Sequence, residues 1–308
     1  MERHELVGGA RRRGIGRAAG RIVPVAPGVR CRGSSGGQAQ TEIWNGRSWT
    51  AEAPGPPDGL FFGVACTPTG SCIAVGYFSG TNSSLAEQWD GTSWSVLPLP
   101  VLLTEPGEQS ELLGVSCASG SCTAVGWAGL GGDYSPVAVR WSGTTVTSLD
   151  TTSAASSRTE LYGVSCASPT TCTGVGFYDD VSLGAVHSLA ETVAPNTSSL
   201  QVTHNPPGEP GSFLAGVSCA SRSICIAVGF AVGSSGADAT LDDWWYGGVW
   251  SNVSTPNPSG SASAELSGVS CTAMNACMAV GSASGSSGAT TTLAERWNGS
   301  SWAIQPTP

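Results

Sequence analysis

Short apolar runs recur along the chain in five copies of a unit of about 51 residues. Each copy opens with Gly-Val-Ala-Cys or Gly-Val-Ser-Cys, and a second Cys then begins an apolar run that ends in Gly, as in Cys72–Gly76. The first cysteines of successive copies lie 51, 49, 53 and 52 residues apart. Self-similarity at such a period is typical of repeat architectures, in which each copy is one supersecondary unit.

Each copy reads as four short strands, which we name A to D. Strands A and B form a hairpin across the two cysteines, and strands C and D form a second one across segments such as Trp89-Asp-Gly-Thr-Ser-Trp94. Asn-Gly and Asp-Gly are strong hairpin signals because both residues tolerate positive φ, and the loop length places Trp89 opposite Trp94. The sequence therefore predicts an all-β fold, a β-propeller of four-stranded blades.

The predicted propeller covers residues 33–308. It has a half blade at 33–56 and blades at about 57–100, 101–151, 152–207, 208–257 and 258–308. The half blade is predicted to contain a C–D hairpin without its A–B pair. We expect six blades with an incomplete first one, and the alternative is a five-bladed ring with a loose N-terminal hairpin. Residues 1–32 match no repeat and are interpreted as a disordered basic leader or the product of a misplaced start.

One blade carries a family resemblance. Its apolar run Ile73–Gly76, the loop that follows, and the segment Glu87–Pro100 with its two Trp residues resemble the kelch repeat. The unit departs from that repeat in having one Gly where kelch has a pair, and Trp where kelch usually has Tyr. The paired cysteines instead resemble secreted repeat proteins of high-GC bacteria. The resemblance implies a propeller that binds through its loops.

Ten of the 11 cysteines fall into five close pairs. They are Cys66 and Cys72, Cys117 and Cys122, Cys166 and Cys172, Cys219 and Cys225, and Cys271 and Cys277. Two cysteines that flank a short hairpin loop can face each other at disulfide spacing, whereas a zinc site needs four ligands that no single pair supplies. We therefore expect five structural disulfides and no metal. Disulfides predict a location outside the cytoplasm, either extracellular or in the cell envelope, although no secretory signal is visible.

The charge distribution argues against nucleic acid as a partner. The chain has no Lys, and eight of its 13 Arg residues lie within residues 1–32. Without residues 1–40, five Arg and 20 acidic residues remain, a net charge of −15. Such a body repels phosphate backbones. No apolar stretch approaches the 18 residues that a membrane span requires, so we expect no membrane span.

No group of residues indicates a reaction. The three histidines, His4, His187 and His204, are scattered, whereas nucleophilic catalysis needs a base beside its nucleophile. One acid recurs at the same place in strand C, at Glu42, Glu87, Glu191, Asp243 and Glu295. A catalytic acid is needed only once, so this repetition favours a structural role. We expect no catalytic residue and no cofactor.

The function that this pattern favours is binding. The connections between strands B and C and between strands D and A vary in length and content, and a rigid scaffold usually binds through such loops. Aromatic residues cluster there, and we predict a ligand site around Trp127, Tyr134, Tyr178 and Tyr77, with a carbohydrate or a protein as ligand. The predicted protein is a secreted, monomeric, non-catalytic binding or adhesion module. The alternatives are an extracellular glycan-processing or oxidising enzyme and a structural repeat protein of the cell envelope.

Overall fold

The structure is a computed structural model in which every described element is a β-strand. It describes residues 29–35, 38–44, 48–51, 56, 58–103, 105–154, 158–180, 182–201, 203–234 and 236–307. Within these ranges no helix is long and apolar enough to cross a membrane.

Five units of four antiparallel strands follow one another along the chain, each in the order A-B-C-D, and one parallel pair, Val186 with Gly211, joins the third unit to the fourth in a single sheet. The first blade contains β4 (Gly59–Cys66), β5 (Cys72–Phe78), β6 (Ser83–Trp89) and β7 (Trp94–Val96). The second contains β8 (Gln109–Ala118), β9 (Ser121–Leu130), β10 (Asp133–Ser142) and β11 (Thr145–Leu149). The third contains β12 (Thr159–Cys166), β13 (Cys172–Asp180), β14 (Ala185–Val193) and β15 (Ser199–Gln201).

The remaining two blades repeat the arrangement. The fourth contains β16 (Gly211–Ser221), β17 (Ile224–Val232), β18 (Asp238–Tyr246) and β19 (Val249–Val253). The fifth contains β20 (Ser261–Ala273), β21 (Ala276–Gly285), β22 (Thr290–Trp297) and β23 (Trp302–Ile304). The predicted all-β propeller of four-stranded blades is therefore confirmed.

The strands A of all five blades meet around a central cavity of about 300 Å³. Each strand A has a β-bulge one residue before its Gly-Val motif, and the bulged residues line this cavity: Phe62, Leu113, Tyr162, Ala215 and Ser267. The strands D lie at the outer edges of the sheets. Strand A is therefore the inner strand of each blade.

Both predicted hairpins are present. Trp89 lies directly opposite Trp94, with the ring centroids 5.6 Å apart, and the pair Trp245 and Trp250 repeats the contact. All five predicted disulfides form across the A–B hairpins. Each joins cysteines that are paired across the strands, which explains why the two cysteines of every pair lie only five or six residues apart.

Successive blades pack through two different faces. The back face of a blade carries alternate residues of strand B, such as Ile73 and Val75, and the front face of the next blade covers them with residues such as Leu112 and Val115. A hydrogen bond repeats at three of these interfaces: the backbone N–H of a Cys in strand A donates to the Ser hydroxyl of the preceding blade at 3.0 to 3.1 Å. The donor and acceptor pairs are Cys166 and Ser116, Cys219 and Ser165, and Cys271 and Ser218.

The N-terminal unit has three strands: β1 (Val29–Ser35), β2 (Gln38–Trp44) and β3 (Trp49–Ala51). Strands β2 and β3 are the predicted C–D hairpin, and β1 pairs with β2 in the position of a strand B. The expectation that this hairpin would lack both A and B is thus corrected, because β1 begins at Val29, inside the segment interpreted as a leader. The rest of that segment, residues 1–28, lies outside the described residues. Strand β4 packs against β1 as β8 packs against β5.

Candidate functional site

The predicted ligand residues lie on one face of the propeller, where the B–C and D–A connections emerge. Tyr134 is the second residue of strand C of the second blade, and Tyr178 lies near the end of strand B of the third. Tyr77 occupies the corresponding end of strand B in the first blade, where its ring stacks on Phe62 at 5.5 Å. This face therefore carries aromatic rings on three successive blades.

Trp127 is not the exposed anchor that the sequence suggested. Its side chain is only 3% exposed, because Tyr134, its neighbour across strands B and C, lies over it with ring centroids 4.2 Å apart. Tyr134 itself is half-buried. Trp127 is thus buried beneath Tyr134, and the Tyr134 ring is the one that is accessible at the surface.

Arg158 connects this aromatic pair to the third blade. Its guanidinium lies 5.8 Å from the ring centroid of Tyr134 and 4.8 Å from that of Phe177, both within cation–π range. Its Nε donates to Glu160 Oε1 at 2.6 Å, and the hydroxyl of Tyr162 donates to the other oxygen of Glu160 at 2.9 Å. We call these five residues, Trp127, Tyr134, Arg158, Glu160 and Phe177, the Arg158 cluster.

The electrostatics of the cluster keep Arg158 charged. Burial lowers the pKa of its guanidinium, but the attraction and hydrogen bond of Glu160, together with the nearby Tyr162 and Asp179, more than offset that effect, so the pKa is raised. The backbone N–H of Asp179 donates to the carbonyl of Arg158 at 2.9 Å. Burial also raises the pKa of the Asp179 carboxyl, and Arg158 partly opposes this increase. A cation whose side chain is 27% exposed thus lies among aromatic rings.

The rings continue from the cluster into the fourth blade. Phe177 contacts Phe213 with centroids 4.7 Å apart, and Phe213 stacks on Phe230 at the same distance. Tyr178 stacks on His187 at 5.3 Å beside the cluster. The structure therefore brings Trp127 and Tyr134 together with Arg158, whereas Tyr178 stacks on His187 and Tyr77 stacks on Phe62 in the first blade.

Sequence reasoning did not select Arg158 or Glu160. A signal was present, because Arg158 is one of only five basic residues beyond residue 40 and it belongs to no repeated motif. Its environment could not be read from the sequence, because Arg158 meets Tyr134 through a parallel bridge between two blades.

The repeated acids of strand C lie away from this face, between blades. Glu191, Asp243 and Glu295 are buried, and burial raises the pKa of Glu191 and of Glu295 to about 7. The adjacent Asp242 accepts hydrogen bonds from Trp244 and Trp302, yet burial raises its pKa to about 8. Across the described ranges, no group of three or more His, Cys, Asp or Glu residues is arranged to hold a metal ion.

Comparison with solved structures defines the class of protein as a β-propeller. YCF48 from Cyanidioschyzon merolae matches with a TM-score of 0.55 and 11% identity, over 94% of this chain and 85% of that chain. A structure described as YCF48 bound to D1 peptide matches with a TM-score of 0.52 and 14% identity, over 91% and 77%. A chain of a mitotic checkpoint complex matches with a TM-score of 0.51 and 11% identity, over 99% and 86%.

The likeness to these propellers is one of fold alone. No protein-family model matches the chain, and no curated protein matches it.

Proposed function

We propose that this chain is a non-catalytic binding module that docks a protein or peptide partner on the Arg158 cluster and the neighbouring Tyr178. The observation that carries the proposal is a packed set of Trp, Tyr and Arg side chains that joins two blades on the variable-loop face. These three residue types dominate the binding energy of protein interfaces. Rings already held by their neighbours also lose little freedom when a partner binds.

A peptide or protein ligand agrees with what propellers of this fold bind. One structural neighbour is a complex with a peptide, and another belongs to a multiprotein assembly. Carbohydrate remains the second candidate, because the half-buried rings of Tyr134 and Tyr178 are suited to stacking on a sugar. The protein is extracellular or belongs to the cell envelope, and its five disulfides support that location.

The test begins with panning a phage-displayed peptide library on the purified protein, in parallel with a glycan array. The dissociation constant of the best ligand is then measured for the variants Tyr134→Ala and Tyr178→Ala. We expect at least about tenfold weaker binding, because interface hot spots contribute about 2 kcal/mol or more. Circular dichroism at the assay temperature checks that the variants are folded, since each loses an aromatic contact worth about 1 kcal/mol.

Tyr246→Ala is the matched control, because Tyr246 is an exposed tyrosine beside the C–D turn of the fourth blade, on the opposite face. If a ligand binds more weakly to Tyr246→Ala but not to Tyr134→Ala, its binding site lies on the face opposite to the one we propose. Hits on the glycan array alone would replace the peptide with a carbohydrate.

A further inference from the structure

Arg140, in strand C of the second blade, is a buried cation that forms no ion pair with a described residue. It is only 6% exposed. Its Nε donates to Thr123 Oγ1 at 3.4 Å, and its Nη2 donates to the carbonyl of Thr170 at 3.1 Å. The remaining nitrogen, Nη1, bonds to no described residue and is not enclosed. Burying a charge without a counter-ion is costly, and burial lowers the pKa of this guanidinium with no acid to oppose the decrease.

Arg222 reaches the same place from the other side. It lies in the A–B turn of the fourth blade, and its Nη2 donates to Ser168 Oγ at 3.0 Å. Ser168 and Thr170 both belong to the A–B turn of the third blade. Arg222 is exposed, and it too forms no ion pair with a described residue. Two guanidinium groups, from the second and fourth blades, therefore contact a single turn of the blade between them.

We call the face that carries the A–B and C–D turns the turn face. In the second, third and fourth blades its six turns contain no Asp or Glu; they are residues 119–120, 143–144, 167–171, 194–198, 222–223 and 247–248. Acidic residues of these blades lie instead at the ends of strands B and C on the opposite face, as Asp133, Asp179 and Asp180 do. The turn face of these three blades is therefore a basic region of a strongly acidic chain.

The repeat does not require either arginine. Arg140 pairs with Thr123 across strands B and C, and the first, third and fourth blades have Gln88, Thr192 and Trp244 at that register. Blade packing therefore does not explain why an arginine is buried here, whereas an anion bound at Nη1 would provide the missing counter-ion.

Exposed apolar side chains lie beside Arg222. Tyr246, which pairs with Ile224, is 68% exposed, and Val249, which pairs with Tyr246, is 57% exposed. A partner that contacts Arg222 thus also meets an aromatic and an aliphatic side chain, a mixture typical of interfaces between proteins. The net negative charge of the chain also opposes a long polyanion. Both features favour a short acidic segment of a protein over a charged polysaccharide.

We propose that the turn face of the second, third and fourth blades binds a short acidic segment of a partner protein, whose carboxylates pair with Arg140 and Arg222. A guanidinium group matches a carboxylate through two parallel hydrogen bonds. An apolar side chain of the segment packs beside Tyr246. The site lies on the face opposite to the Arg158 cluster and does not depend on the function proposed for that cluster.

The probe is the peptide Ser-Glu-Glu-Leu-Glu-Glu-Ser carrying an uncharged dye, and the measurement is fluorescence anisotropy with the full chain at low salt. We expect saturable binding with a dissociation constant below about 1 mM, because paired charges form strong hydrogen bonds. Arg140→Gln and Arg222→Gln should each weaken it at least about fivefold. Raising the salt to about 0.5 M should do the same, because exposed charges are then screened.

Arg296→Gln is the matched control, because Arg296 occupies the register of Arg140 in the fifth blade and the variant removes the same charge. It should bind the peptide like the unaltered protein, and so should Tyr134→Ala, which separates this site from the Arg158 cluster. The peptide with Gln in place of every Glu should not bind. Because Arg222 is exposed, Arg222→Gln tests the site without disturbing the fold.

Three results would overturn the proposal. The first is absent binding, or binding that Arg222→Gln and Arg296→Gln weaken equally. The second is binding of heparin, a sulfated polysaccharide, without binding of the acidic peptide, which would assign the site to a glycan. The third is a dimer in sedimentation that Arg222→Gln dissociates, since a second copy of the chain would then occupy this face.

Discussion

The fourth and fifth blades carry nearly the same strand B, Ile-Ala-Val-Gly and Met-Ala-Val-Gly, in opposite surroundings. The back face of the fourth blade is sealed by Leu266, Val269 and the Trp pair of the fifth. The corresponding face of the fifth blade is exposed beside the central cavity. The repeated sequence therefore gives each blade an apolar back face suited to packing against another blade. Whether that face is buried depends on whether another blade packs on it.

The largest expected difference in stability comes from placing a charged residue on the back face of the fourth blade and, separately, on that of the fifth. Val228→Asp puts a carboxylate into a fully buried apolar contact, which we expect to destabilise the protein by about 4 kcal/mol or to prevent folding. Val280→Asp changes the same residue type on the exposed face and should cost less than about 1 kcal/mol. Urea unfolding of both variants measures the contrast. Equal losses would mean that the fifth blade is covered in solution.

A smaller contrast is expected for glycine. In Gly216→Ala the new methyl group would lie 2.8 Å from Cα of Gly268, and overpacking of this kind costs about 1–3 kcal/mol. Gly268→Ala meets no described backbone of a following blade, so it should leave the unfolding free energy nearly unchanged. Thermal unfolding of the two alanine variants provides the comparison. A larger loss for Gly268→Ala would refute the assigned asymmetry.

A third contrast concerns pH at the interface of the fourth and fifth blades. Asp242 has a pKa of about 8 in the folded protein and about 4 when unfolded. The folded state therefore binds the proton more tightly, and the stability from this group is complete below pH 4 and lost as pH rises towards 8. Glu295, with a pKa of about 7, acts in the same direction. The melting temperature should fall between pH 5.5 and 8.5.

Asp242→Asn tests this dependence. Its amide oxygen can still accept from Trp244 and Trp302, because both bonds end on one oxygen of Asp242. We expect the variant to melt about 2 °C or more above the unaltered protein at pH 8.5 and to show a flatter pH profile. Ala294→Asp, at the equivalent position of the exposed face, should leave the profile as it was. An unchanged profile in Asp242→Asn would assign the pH dependence to other acids.

Much of the fold could be predicted from the sequence because the residues that form each hairpin are close together in the chain. The A–B hairpin follows from two cysteines around a short loop, and the C–D hairpin from Asp-Gly or Asn-Gly between two Trp residues; the structure shows both. Strand β1 was missed because Val29–Ser35 has neither the paired cysteines nor the apolar run of the other strands B. Only its pairing with β2 identifies it.

Only part of the candidate site could be predicted from the sequence. The variable-loop face and its aromatic residues could be chosen from the sequence, but the burial of Trp127 under Tyr134 and the contacts of Arg158 depend on side chains from different blades. A pattern along one strand carries no information about such contacts, because they are set by how two sheets approach each other.

By itself, the sequence determined the repeat, the four strands of each blade and the disulfide pairs, since all of these rest on hydrogen bonds and crosslinks between residues close in the chain. Only the tertiary structure decided which apolar face is covered and which aromatic ring reaches the surface. The physical reason is that burial is a property of two surfaces in contact. Val228 and Val280 have the same neighbours in sequence, and they differ only because a blade follows one of them and no described strand A follows the other.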